Sequence, residues 1–356
     1  MTDTHNQAEK APVAIRRRFA YTHALPVPPP IIMKKFLTPS LPPLLCGAAL
    51  ALLLAACSDK PEPAPASASS SKSEPAAQPE TGSDSDSGAK SAMADDAPAG
   101  AKRLWTEPEL HEALFAKNPK YTGGGQFRIE SGLVLVAVLA NCGIEDISPL
   151  AGLPLVQLDL QGNPIRDISA LKGAILMKLF LDNTQVEDLS PLADAELDEL
   201  YLNSTQVSNI DALKGQPLAT LNLFQTGVHD LSPLRGAPLK MLWLNETPAS
   251  DISPLAGAPL ESITLHKTHV KDISPLAKCP TLQRIHIGET PVEDLSPLKG
   301  MHLTRLIFTP DRIKKGLPDI RAIATLSELG VTLEGKMWPD EFWNQLDAGA
   351  FTAKGK

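Results

Sequence analysis

The stretch from Val134 to about Ile313 repeats itself every 21 residues. Leu155 opens LVQLDLQGNPIRDISALKGAI, Leu218 opens LATLNLFQTGVHDLSPLRGAP and Leu239 opens LKMLWLNETPASDISPLAGAP. The common frame is L-x-x-L-x-L-x-x-[NT]-x-[IV]-x-D-[IL]-S-P-L. Asp146, Asp167, Asp188, Asn209, Asp230, Asp251 and Asp272 hold the step at 21, and Asp294 follows after 22. One unit of this length cannot bury its own apolar edge, so successive units must stack and cover one another. The repeat therefore confines the chain to a solenoid.

Within the second copy the apolar frame is Leu155, Leu158, Leu160, Ile165, Ile168 and Leu171, with Asn163 as its polar member. Leu158 and Leu160 are two apart and share the inward face of a short strand. The ninth position carries Asn163, then Thr184, Thr205, Thr226, Thr247, Thr268 and Thr290, with Cys142 in the first copy. A short polar side chain there can bond the backbone as it leaves the strand. In Ser-Pro-Leu, serine suits an N-cap and proline the first turn, which predicts a brief 3₁₀ turn on the return path. Period and leucine offsets together are those of leucine-rich repeats. The expected fold is α/β: a leucine-rich repeat solenoid, or horseshoe, with a parallel concave sheet, short 3₁₀ turns on the convex side and helical caps at both ends. Nine strands spaced ~4.8 Å apart would make a face roughly 40 Å long.

The repeats occupy 134–313, with an N-terminal cap over 103–133 and a C-terminal helical cap over 314–356. Thr106-Glu107-Pro108-Glu109 reads as a capping box opening a helix through Leu110, Leu114 and Phe115. At the far end, 316–326 and 339–346 read as two short helices, with Trp338, Phe342 and Trp343 packed over the last coil.

Upstream, Met33-Lys34-Lys35 opens a basic region, and the apolar run Leu44 to Ala56 ends in Leu54-Ala55-Ala56-Cys57. The run is too short to span a bilayer as a helix and reads as the core of a signal peptide. Residues 33–56 resemble a bacterial lipoprotein signal, which implies lipid modification at Cys57. By the same resemblance Ser58 implies onward transfer to the outer membrane, although Asp59 follows it. Residues 1–32 read as an upstream extension, with translation starting at Met33; Arg16-Arg17-Arg18-Phe19 is a faint echo of a twin-arginine signal. Residues 57–102, rich in Ala, Pro, Ser and acidic residues, read as a tether with an r.m.s. span of ~35–40 Å.

The D-[IL]-S-P-L unit is similar to the short repeats of internalins. The span from about Trp105 to Phe351 also resembles leucine-rich repeat regions of planctomycete-type bacteria, some of them linked to kinases. Residues 116–121 (AKNPKY) and 342–349 (FWNQLDAG) carry that likeness. No kinase domain is present, so the resemblance implies a recognition module and transfers no catalytic residue.

Between the inward leucines, the fifth and seventh residues of each unit face outward. The fifth column reads Val138, Asp159, Phe180, Tyr201, Asn222, Trp243, Thr264, His286. The seventh reads Ala140, Gln161, Asp182, Asn203, Phe224, Asn245, His266, Gly288. Of the five Phe, Tyr or Trp residues from Val134 to Phe308, four fall in these columns: Phe180, Tyr201, Phe224 and Trp243. An aliphatic solenoid has no structural need for exposed aromatics, whereas a cluster ringed by polar groups suits a binding hot spot. The bland alternative is that Phe180 and Tyr201 merely stack as cross-strand neighbours. The expected ligand-binding set is Phe180, Tyr201, Phe224, Trp243, Asp182, Asn203, Asn245, His266 and His286, with Asp159 and Glu246 at the rim. A protein or peptide ligand is the first expectation. Carbohydrate or cell-wall binding and a purely structural envelope role are the competitors.

His266 and His286, one repeat apart, would need Glu246 or Glu289 to complete a metal site, and exposed polar fill is the stronger reading. No metal and no cofactor is expected. No G-x-S-x-G, H-E-x-x-H, phosphate-loop or kinase catalytic string occurs, so an enzyme is not expected. The recurring Asp belongs to the turn. Cys142 and Cys279 lie more than six coils apart, ~30 Å at one strand spacing per coil, beyond disulfide reach, and are expected as buried, or nearly buried, free thiols. A net charge of −8 without a basic stripe argues against nucleic acid.

Overall fold

Most coils contribute one three-residue strand and one three-residue 3₁₀ turn, and the 21-residue step keeps every strand in register with the next. The computed structural model describes residues 104–351. The expected extension, signal, Cys57 lipid site and tether lie outside the described residues. The strands are β1 Gln126–Glu130, β2 Leu133–Val138, β3 Gln157–Asp159, β4 Lys178–Phe180, β5 Glu199–Tyr201 and β6 Thr220–Asn222. Then come β7 Met241–Trp243, β8 Ser262–Thr264, β9 Arg284–Ile287, β10 Arg305–Phe308, β11 Glu328–Gly330 and β12 Lys336–Met337. They form one 12-stranded sheet in sequence order. Neighbours from β2 to β11 are parallel, while β1 and β12 fold back antiparallel at the two ends. Sequence periodicity predicts nine strands; β11 adds a tenth parallel member although its spacing departs from the repeat.

The inward positions pack without exposed area. Leu158, Leu179, Leu200 and Leu221 stack at one level and Leu160, Leu181, Leu202 and Leu223 at the next, all fully buried. At ~1.5–3 kcal/mol per buried side chain, this double ladder is the main favourable term, and chain entropy opposes most of it. Polar rungs run alongside. Thr184, Thr205, Thr226, Thr247, Thr268 and Thr290 each donate a hydroxyl hydrogen bond to the carbonyl three residues back, at 2.7–2.8 Å.

The turn chemistry differs from the sequence expectation in one respect. Serine is not the N-cap; Asp two residues earlier accepts its N–H instead, as Asp146 does from Ser148 at 2.7 Å and Asp230 from Ser232 at 2.8 Å. Asn209 performs the same task for Asp211 at 2.7 Å. The Ser148 hydroxyl and N–H at Asp146, and the Ser232 N–H and hydroxyl at Asp230, hold both carboxyls below the usual carboxylate range. The single 22-residue step is absorbed between Asp272 and β9, where the 3₁₀ turn Ser274–Lys278 has five residues instead of three.

Both open ends of the core are covered. Helix α1, Glu107–Lys117, starts with the expected capping box and buries Leu110 and Leu114, while β1 lies along β2. Phe115 stays half exposed against Tyr121. At the other end α2 is only Leu317–Arg321, shorter than the sequence suggests, and α3 spans Pro339–Asp347. Helix α3 brings Phe342 to 5.4 Å from Phe308 and buries Trp343, over which the Arg321 guanidinium sits at 4.7 Å. Trp338 does not join them: it is 71% exposed, because it occupies the turn before α3 rather than its inner face. Cys142 and Cys279 are buried free thiols.

Candidate functional site

In β3 to β8 the middle residue of each strand is buried and its two flanking residues are half-buried, so the flanking residues form the sheet's open face. Strand pairing sets Asp159 beside Phe180, Phe180 beside Tyr201, Tyr201 beside Asn222, Asn222 beside Trp243, and Thr264 between Trp243 and His286. Phe180 and Tyr201 stack at 4.8 Å with planes 16° apart. Across Asn222, Tyr201 approaches Trp243 at 6.4 Å, tilted by 34°. The expected aromatic row therefore exists, half-buried rather than fully exposed, because rings on adjacent strands cover one another. The cross-strand stack and the outward row are the same feature. Phe224, in the neighbouring column, joins no ring pair among the described residues.

Carboxylates flank this row at its β3–β4 end. Asp182 accepts the Asn203 N–H at 2.8 Å, yet burial, with Asp159 nearby, pushes its carboxyl up to about 6. Asp159 accepts the Gln161 N–H at 3.1 Å, and burial raises it too. The Tyr201 hydroxyl is pushed up to about 12 by burial and by Glu199 and Asp182. Cation partners lie elsewhere: Lys178 pairs with Glu199 at 2.7 Å. Asn203 is half-buried, and its side-chain oxygen accepts the Ser204 hydroxyl at 2.9 Å.

A side-chain ladder borders the face at the eighth position of each unit. Ser204 bonds Gln225 at 3.0 Å, Gln225 donates to Glu246 at 2.7 Å, and Lys267 reaches Glu246 at 3.2 Å. Glu246 is thus already engaged rather than a free rim acceptor. The backbone at Ser204, Gln225, Glu246 and Lys267 is left-handed, with φ between 54° and 57°. Sequence reasoning misses this column because no shared residue type marks it; Gly162 is its only glycine.

The histidine pair departs from the expectation of exposed polar fill. His286 is 5% exposed and neither ring nitrogen has a partner. His266 stacks on it at 4.8 Å, and His266 Nδ1 lies 3.0 Å from the Gly288 carbonyl, to which it donates. Burial, followed by His266, depresses the His286 imidazole to about 4. The reason is local: Gly288 offers no side chain to lift the ring off the sheet, and Ile307 beyond it on β10 is fully buried. Thr264 and Asn245 beside the pair also carry unpartnered buried oxygens. Thr264 lies outside the expected set, although its column position between Trp243 and His286 marks it. Among the described residues, no three or more His, Cys, Asp or Glu residues converge as a metal site, and no helix is long and apolar enough to cross a membrane.

No protein-family model matches the chain, and no curated protein matches it. Among solved structures it is similar to an internalin from Listeria monocytogenes, with TM-score 0.52 and 27% identity over 62% of this chain and 67% of that one. An internalin C2 from the same organism gives TM-score 0.49 and 26% identity over 57% of this chain and 93% of that one. A Leptospira interrogans leucine-rich repeat protein gives 0.36 and 21% over 49% and 54%.

Proposed function

We propose that this leucine-rich repeat protein, similar in fold to an internalin, is a non-catalytic module that binds a protein or peptide on the open face of its sheet. It is displayed from a bacterial cell envelope, at the outer membrane, by a lipid on Cys57. The observation that carries the reading is the half-buried row Phe180, Tyr201 and Trp243, on a face whose remaining positions from β3 to β9 are mostly polar, with Phe224 and Met241 as further apolar members. Rigid aromatics at the centre of a polar surface are the anchors that contribute most to protein interfaces. Two raised, cation-free carboxylates at one end of the row add a place for a ligand donor. The ring geometry disfavours a flat sugar, because Phe180 and Tyr201 each give a face to the other.

The test is partner capture by the full chain and by its Tyr201→Ala/Trp243→Ala variant, with circular dichroism as the folding control. The reading expects capture to be lost while the spectrum is unchanged. Undiminished capture would remove this face from consideration, and binding of cell-wall glycans in place of protein would move the ligand class. Mass spectrometry of the N-terminal peptide from cells tests the anchor, with a diacylglyceryl mass expected on Cys57.

A further inference from the structure

Five buried side-chain oxygen or nitrogen atoms lack a hydrogen-bond partner among the described residues, and four of them lie together. They are Asn245 Oδ1, Thr264 Oγ1 and both ring nitrogens of His286, contributed by three successive coils of the open face beside Trp243. Unmet buried polar atoms cost stability, and natural folds retain few of them. Nothing in the solenoid demands polarity here, since its inward face is aliphatic and other coils carry Phe, Tyr or Trp in the same column. Gly288 keeps the approach clear: a Cβ there would stand 2.9 Å from His286 Nε2 and 3.3 Å from His266 Nδ1.

We infer that this patch is a subsite for an uncharged primary carboxamide, the side chain of an Asn or Gln in the ligand. The inference rests on the protein-ligand reading above. Asn245 Oδ1 is an acceptor only. A neutral imidazole offers one N–H and one lone pair, and the Thr264 hydroxyl gives and takes. Satisfying all of them takes both donors and acceptors at once, and a primary carboxamide, with two N–H donors and a carbonyl oxygen, offers more of them from one rigid group than a single hydroxyl does. A carboxylate has no donor and would meet Glu246 and Glu289, which lie beside His266. An ammonium has no acceptor for the His286 N–H. His286, kept neutral by burial, supplies no charge of its own. Trp243 at the edge provides the apolar wall for the methylenes of the incoming side chain.

The experiment measures binding of N-acetyl, C-terminal N-methylamide hexapeptides from a positional-scanning library to the full chain. At one position, Asn or Gln is expected to bind at least about tenfold tighter than Asp, Glu or Leu, as a site with committed hydrogen-bonding groups should discriminate. Thr264→Val, which keeps shape, and Thr264→Val with His286→Phe are expected to erase that preference while raising the thermal unfolding midpoint. A structural role for the two side chains would lower the midpoint instead and overturn the inference. Peptides that bind with no amide preference, or with a preference that survives both variants, overturn this subsite alone. If no hexapeptide binds and chitin oligosaccharides do, the protein-ligand reading falls with it.

Discussion

Asn163 stands where most coils have threonine, and it holds more backbone than any of those threonines. Its Oδ1 accepts from Cys142 N–H at 3.1 Å and Ile144 N–H at 2.9 Å, and its Nδ2 donates to the Leu139 and Leu160 carbonyls, both at 2.8 Å. The side chain is 1% exposed, so Asn163→Ala strands these groups where solvent does not reach. Two orphaned N–H groups at about 1–3 kcal/mol each give a loss of about 2–6 kcal/mol, with the carbonyls and the small void adding to it. Asn163→Thr should recover only the Leu160 carbonyl, as Thr184 does for Leu181 at 2.7 Å, and so fall between alanine and wild type. Because coils interact only with their neighbours, the loss should be local. Native-state hydrogen exchange reads it directly, with amides around Cys142 and Ile144 losing protection while those near Leu242 keep theirs. A loss under about 1 kcal/mol, or Asn163→Thr indistinguishable from wild type, would refute the claim that one carboxamide ties the first two coils together.

Other consequences follow from the core and the titrating groups. Leu221→Ala, at a fully buried rung in mid-solenoid, should cost about 2–5 kcal/mol in denaturant unfolding, whereas Ile175→Ala, at a side chain 66% exposed, should stay within about 0.5 kcal/mol. The His286 imidazole falls to about 4 from an ordinary 6.5, so between those values the unfolded chain binds a proton that the folded chain refuses. Its contribution is therefore lost as pH falls from 6.5 through 4, and His286→Phe should remove that slope. Asp182 behaves oppositely: its carboxyl rises from 3.8 to about 6, so the folded chain holds the extra proton and stability drains as pH rises through that window. Asp182→Asn should raise the unfolding midpoint at pH 8 and leave it nearly unchanged at pH 4; carboxyl ¹³C titration of the wild type checks the assignment.

How much of this was legible in the sequence depends on how each feature is encoded. Leu158 and Leu160, Thr226 and Asp230 belong to positions where one physical need recurs in every coil, and the 21-residue period exposes them. The aromatic row is legible for the same reason, since column assignment follows from the leucines. What escaped has no repeating residue type. The left-handed eighth position accepts Ser204, Gln225, Glu246 and Lys267 alike, because its strain is offset by stacking and side-chain bonds between coils. The burial of His286 depends on Gly288 two residues on and on Ile307 of the next strand, neither of which is a residue type that recurs at its position from coil to coil. At the ends, where no further coil imposes register, local propensity sets the outcome: β12 turns back on β11, α2 stops after five residues, and Trp338 faces solvent.

The central claim is that the sheet's open face, and not the turn side, meets a protein. A photo-crosslinking benzophenone amino acid placed in the full chain at Tyr201 or Trp243, and for comparison at Lys214 or Arg235 near the 3₁₀ turns, tests it in intact cells. Positions 201 and 243 should each yield the same discrete protein adduct, and positions 214 and 235 none. Equal adducts from both sides, or adducts from the turns alone, would contradict the account.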